Sequence, residues 1–189
     1  AKQSRPMHAQ PPTGHAGNPA DALQRTFAAI AATRMAGLPV CNPALTVAVP
    51  AMRRHEGEWL GVLLTPWALS LVILPGGGGQ FRAIAVGESQ DWAFPSGSYT
   101  FLGSSEDGLG PYQTCSLFSP VFEFDDQASA EAVALAAFDA LLQPGEGALD
   151  SAAAAREDAE AARLAGRPLS SQAVSRRAFL RGSLFGGRE

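Results

Sequence analysis

The chain has 189 residues, 46% of them apolar, and a formal net charge of −4. That is material for one folded domain with tails rather than two full domains, and it gives no electrostatic reason to expect nucleic acid. The charge is uneven: from Ser175 onward four arginines face one acid, a local +3, which leaves −7 on residues 1–174.

Residues 1–17 are polar and rich in Pro and Gly, the composition of a disordered extension without an apolar leader. A helix is predicted to start at Asn18, whose side chain can accept a free backbone N–H. Pro19 follows where its missing N–H costs nothing, and Asp21 suits the positive end of the dipole. Leu23, Phe27 and Ile30 make one buried stripe, and Gly37 and Pro39 are expected to end the helix. Thr46–Val49 is a short strand-like run. Trp59–Thr65 and Ala68–Leu74 are two apolar runs that read as a hairpin cornered at Pro66-Trp67. Pro75 and the run Gly76–Gly79 break the pattern and predict a flexible loop. Further strands are predicted over Ser98–Leu102 and Tyr112–Ser119, with a mobile connection over Gly103–Pro111.

Asp126 is placed to cap a second helix, Gln127–Leu142, with Leu135, Phe138 and Leu142 on its stripe. The alanine-rich residues 149–166 are helical by propensity but have little to bury. The predicted fold is α+β: an antiparallel sheet of about four or five strands with two amphipathic helices packed on one face and disordered termini. The domain plan is an extension over residues 1–17, one α+β domain over 18–148, the alanine-rich helix over 149–166, and a basic tail over 167–189.

Catalytic signatures are sparse. There is no GxSxG, and the glycine run lacks the Lys-Ser/Thr and the helix start of a phosphate cradle. Cys41 and Cys115 are far apart, no CxxC occurs, and the histidines are scattered. No metal site, disulfide framework or cofactor is expected, and the compartment is predicted to be cytoplasmic. Cys115 sits in an apolar strand, where a thiol is usually inert packing. A thiol-dependent redox protein or enzyme using Cys115, with His55 as activator, is the alternative to a non-enzyme. The apolar stretch Trp59–Leu74 is too short and too interrupted for a spanning helix, which leaves a membrane adaptor as a remote third reading. Trp67, at the corner Thr65-Pro66-Trp67, is either a core plug or an anchor for a partner, with Trp59 and Tyr112 as companions. In the tail, Ser175-Arg176-Arg177-Ala178-Phe179-Leu180-Arg181 spells a twin-arginine export pattern at the wrong end of the chain.

Taken together, His55-Glu56-Gly57-Glu58-Trp59-Leu60-Gly61, Leu64-Thr65-Pro66-Trp67-Ala68-Leu69-Ser70, Phe94-Pro95-Ser96-Gly97 and Tyr112-Gln113-Thr114-Cys115-Ser116-Leu117-Phe118-Ser119-Pro120 resemble the nickel–iron hydrogenase assembly chaperones of the HybE, HupJ and HoxT type. The resemblance implies a non-enzymatic helper in hydrogenase maturation. It would bind a subunit precursor, chiefly the small subunit with its twin-arginine signal, possibly also the large subunit, and hold back export until maturation is finished. On that reading the partner-binding residues are Trp59, Thr65, Pro66, Trp67, Tyr112, Cys115, Arg176, Arg177 and Phe179.

Overall fold

The computed structural model describes residues 14–145. The expectations for residues 1–13, for the alanine-rich helix over 149–166, and for the tail with Arg176, Arg177 and Phe179 lie outside the described residues.

The described elements are α1 (Ala20–Ala32), β1 (Ala48–His55), β2 (Glu58–Leu64), β3 (Leu69–Leu74), β4 (Ser89–Phe94), β5 (Gly97–Glu106), β6 (Gly110–Phe118) and α2 (Gln127–Leu141). The strands form one antiparallel sheet in the order β1-β2-β3-β6-β5-β4. The α+β class holds, with six strands in place of four or five.

Strand β2 is buried along its whole length. An uninterrupted apolar strand needs cover on both sides, and the two helices supply it from opposite faces rather than sharing one. On the first face, Leu23 and Phe27 of α1 pack with Trp59 and Leu63 of β2, Val72 and Leu74 of β3, and Tyr112 of β6. On the second face lie Leu60, Val62, Leu71 and Ile73, all nearly or fully buried. Arg53 pairs with Leu60 and therefore shares that side, and its guanidinium sits 5.3 Å over the Phe138 ring of α2. Phe118, opposite Leu69 on the same side, meets Phe124 edge-on just before α2.

Helix α1 ends at Ala32, earlier than Gly37, with Thr33 bonding back to Ile30. The Asn18 carboxamide accepts the Ala20 N–H at 2.9 Å. In α2 the buried stripe is Ala130, Ala134, Ala137, Phe138 and Leu141, while Leu135 is 44% exposed. Small side chains turn inward there, which brings the helix backbone close to its neighbours. Asp126 does cap α2: the Ser129 N–H donates to its carboxylate at 2.7 Å and holds the carboxyl below its ordinary range.

The described chain divides into two compact units, residues 14–91 with Thr100–Phe138, and Trp92–Tyr99 with residues 139–145. In the second, the Ser96 hydroxyl and backbone N–H both donate to the Leu141 carbonyl, and Phe94 meets Tyr99 edge-on at 5.9 Å. Among the described residues no helix is long and apolar enough to cross a membrane, and the apolar stretch Trp59–Leu74 is the β2–β3 hairpin.

Candidate functional site

The β2–β3 corner is a two-residue bend made by one threonine. Thr65 donates its backbone N–H and its hydroxyl to the Ala68 carbonyl, at 2.8 and 2.9 Å, and its hydroxyl accepts the Ala68 N–H at 3.0 Å. This closes the turn without a glycine, which the usual hairpin bends need. Pro66 and Trp67 are left at the tip, half-buried.

Beside the tip a cleft of about 200 Å³ opens between α1 and the first face of the sheet. It is lined by Phe27, Leu63, Thr65, Trp67, Ala68, Ser70, Tyr112 and Thr114. None of these side chains carries a charge. Phe27 and Tyr112 meet edge-on with centroids 6.0 Å apart. Burial raises the Tyr112 phenol above its ordinary value of 10.0, and Glu106 adds to the rise, against a side-chain hydrogen bond with Ser104 and the charge of Arg34. The ring therefore stays neutral at physiological pH. Arg34 and Glu106 pair at 2.7 Å and tie the segment after α1 to the end of β5.

The corner is held from behind by Asn42, which is 5% exposed. Its backbone N–H donates to the Pro66 carbonyl at 2.7 Å, and its carboxamide donates to the carbonyls of Val121 and Phe124 at 3.0 and 2.8 Å. One residue thus links the Pro66 turn to the loop that carries Glu123, Asp125 and Asp126.

A second knot lies at the other end of the hairpin. Glu58 is 2% exposed and accepts the backbone N–H groups of Gly76, Gln80 and Phe81 at 2.5, 3.1 and 3.2 Å. Burial alone would raise its carboxyl. The amides of Gly76, Phe81, Gln80 and Gly78 outweigh that and leave it below the ordinary 4.5. The glycine run is therefore a packed loop rather than a free one: a Cβ on Gly76 would collide with the Gly57 carbonyl, and one on Gly78 with the Glu56 carbonyl. Arg54 donates to the carbonyls of Gly57 and Gly76 and stacks 4.3 Å over Trp59. Trp59 donates its indole N–H to His15 at 2.9 Å, and His15 in turn bonds Pro75.

The structure brings Thr65, Trp67 and Tyr112 together around the cleft, with Pro66 at its tip. Trp59 lies in the same apolar layer, buried under Arg54 and His15. Cys115 pairs with Leu71 and faces the other side of the sheet, 3% exposed. His55 lies on β1, three strands away from β6, so the sheet does not pair it with the thiol. Sequence reasoning assigned Phe27 to the core and missed Ser70, Thr114 and Asn42. The alternation along β3 and β6 puts Ser70 and Thr114 on the Tyr112 side, but nothing local marks Asn42. No group of three or more metal-ligating side chains occurs among the described residues.

Comparison with known proteins agrees with this fold. Residues 18–182 match the family model described as NiFe-hydrogenase assembly, chaperone, HybE. Protein HoxT of Cupriavidus necator is 44% identical over 124 residues, covering 59% of this chain and 69% of its own. The hydrogenase expression/formation protein HupJ of Bradyrhizobium diazoefficiens is 32% identical over 179 residues, covering 91% and 96%. The solution structure of HybE from Escherichia coli superposes with a TM-score of 0.57 at 30% identity, covering 68% of this chain and 80% of that one. With the family model matched over residues 18–182 and a relative 32% identical along nearly its whole length, the chain belongs to the HybE family of NiFe-hydrogenase assembly chaperones.

Proposed function

We infer that the chain is a non-catalytic chaperone that binds a hydrogenase subunit precursor, chiefly the small subunit with its twin-arginine signal, and delays export or assembly until cofactor insertion is complete. The observation that carries this reading is the uncharged cleft walled by Trp67, Phe27 and Tyr112. A half-buried tryptophan beside a concave apolar surface is the usual form of a protein-binding hot spot. The charge agrees: residues 14–145 hold five arginines against twelve carboxylates, a net of −7. Such a body attracts a basic segment and speeds its arrival.

The test is co-purification with each hydrogenase subunit precursor, with and without its export signal. The small-subunit precursor is expected to bind, and to bind less once the signal is removed. Binding of neither precursor would overturn the reading. Cys115 serves as packing on this account, so Cys115→Ser is expected to keep precursor binding within about twofold. Loss of function with the fold intact, seen by circular dichroism, would instead make the thiol chemical. Arg176, Arg177 and Phe179 give the chain its own copy of the export motif, which competes with the incoming signal. Deleting residues 175–189 is expected to tighten signal-peptide binding, and unchanged or weaker affinity would reject the competition.

A further inference from the structure

We propose that the glycine-loop end of the hairpin is a second binding site, one that reads peptide main chain, and that residues 14–16 fill it in cis as a strap. Its ligand class is an extended segment in which glycine is followed by any residue except proline. The site lies at the opposite end of β2 and β3 from the Thr65-Pro66-Trp67 corner, and it gives Trp59 a role apart from the cleft.

One residue of the strap carries the bonds. His15 donates its backbone N–H to the Pro75 carbonyl at 2.8 Å, and its own carbonyl accepts the Trp59 indole N–H at 2.9 Å, with Arg54 Nη2 at 3.5 Å. These bonds are all to main-chain atoms of His15, so the identity of its side chain does not enter. Trp59 is 9% exposed and Pro75 is buried. A donor and an acceptor placed this deep are costly to leave unpaired, and one peptide residue satisfies both. Arg54 is set independently of the strap. It donates to the Gly57 and Gly76 carbonyls at 2.6 and 2.7 Å and stacks 4.3 Å over the Trp59 ring. The polar groups of the site are thus in place before a peptide arrives, which lowers the cost of binding.

Position 14 supplies the selectivity. A Cβ on Gly14 would stand 2.6 Å from the Gly77 nitrogen and 2.7 Å from the Gly76 carbonyl carbon, both main-chain atoms that cannot swing aside. The loop beneath has no room to retreat. Gly76 and Gly78 are themselves pressed against the Gly57 and Glu56 carbonyls, and the Gly76 N–H is held by the Glu58 carboxylate. Past His15 the strap turns outward, with Ala16 and Gly17 exposed. The recognised element is therefore glycine and the residue after it, whose N–H and C=O are both used, and proline in that second place has no N–H to give. A segment tethered to its own site acts at an effective concentration in the millimolar range. An outside peptide gains the site when the strap is weakened or when a partner presents the peptide at a comparable local concentration.

The test reads the Trp59 indole proton by NMR in the full chain. The chain has three tryptophans, so Trp59→Phe assigns its signal among three. Gly14→Val in the chain is expected to speed exchange of that proton with solvent by about tenfold or more, because the strap no longer seats. A peptide with the sequence Gln10–Asn18, added at about 2 mM to the Gly14→Val chain, is expected to restore the protection. The same peptide carrying His15→Ala is expected to restore it equally, whereas peptides carrying Gly14→Val or His15→Pro are expected to fail. Should the Gly14→Val chain not fold, His15→Pro in the chain, which removes the donated N–H, takes its place. An indole proton as protected in the strap variant as in the parent chain, or no recovery with the parent peptide, overturns the site. So does recovery that disappears with the His15→Ala peptide or that persists with the Gly14→Val peptide.

Discussion

Replacing Glu58 with alanine is expected to lower the stability of the folded chain by about 3 kcal/mol, a fall of about 10 °C in Tm. Its carboxylate is the shared acceptor for the Gly76, Gln80 and Phe81 amides. The Phe81 amide is buried outright, whereas Gly76 and Gln80 lie where water can partly replace the lost acceptor. That puts the cost near the low end for three orphaned donors. Glu58→Gln keeps one acceptor oxygen and should lose about half as much. The two variants also separate the role of charge. The folded carboxyl lies below the ordinary 4.5, so its ionised form stabilises the fold above that pH, and the contribution is lost as pH falls through the folded value. Urea unfolding at about pH 7 and about pH 3.5 should show wild-type stability dropping with acid and Glu58→Gln dropping less. Equal acid sensitivity would mean that the acid response belongs to other carboxylates.

Trp67→Ala is expected to weaken precursor binding by about thirtyfold or more while lowering stability by only about 1–2 kcal/mol. The separation comes from position. Trp67 is half-buried at the tip of a bend whose hydrogen bonds belong to Thr65 and Ala68, so the bend survives without the indole. Phe27 touches the same cleft but is 8% exposed and belongs to the core under α1. Truncating it would cost about 3–5 kcal/mol of stability and confuse the two effects. Calorimetric titration of the folded Trp67→Ala chain with the small-subunit precursor reads the result. Wild-type affinity would mean that recognition happens elsewhere.

The parts of this molecule that were legible in its sequence are those with a strong local signal. The apolar runs of β2 and β3 and the punctuation by Pro66 and Pro75 announce a hairpin, and the Asn18-Pro19 start and Asp126 cap locate both helices. β4 was overlooked because its inward positions begin with a glutamine: Gln90, Trp92 and Phe94 alternate with exposed Ser89, Asp91 and Ala93. That glutamine is buried because it closes an amide network, accepting from Gln113 and donating to the Gln80 carbonyl. The end of β1, Arg53–His55, carries no strand signal because an edge strand carries charge outward. The largest miss concerns Asn42 and Glu58. Neither stretch carries a local signal of its role, which lies in partners far along the chain, 79 and 82 residues away for the Asn42 carboxamide. The shared-face expectation for the helices failed for a different reason. A continuous apolar strand implies two covered faces, and that requirement outweighs the economy of stacking both helices on one.

The strand order β1-β2-β3-β6-β5-β4 is two local meanders laid side by side, joined among the described residues by a seam of β3 against β6. Each meander can zip from short hairpins. The seam must bring together residues such as Leu71 and Cys115 across a long stretch of chain, the kind of closure that slows folding. Ser70 comes from one side of that seam and Thr114 from the other, so the cleft has no floor until the seam has closed. A half-made chain therefore lacks this cleft, and on the proposed reading client capture is reserved for copies in which the seam has closed.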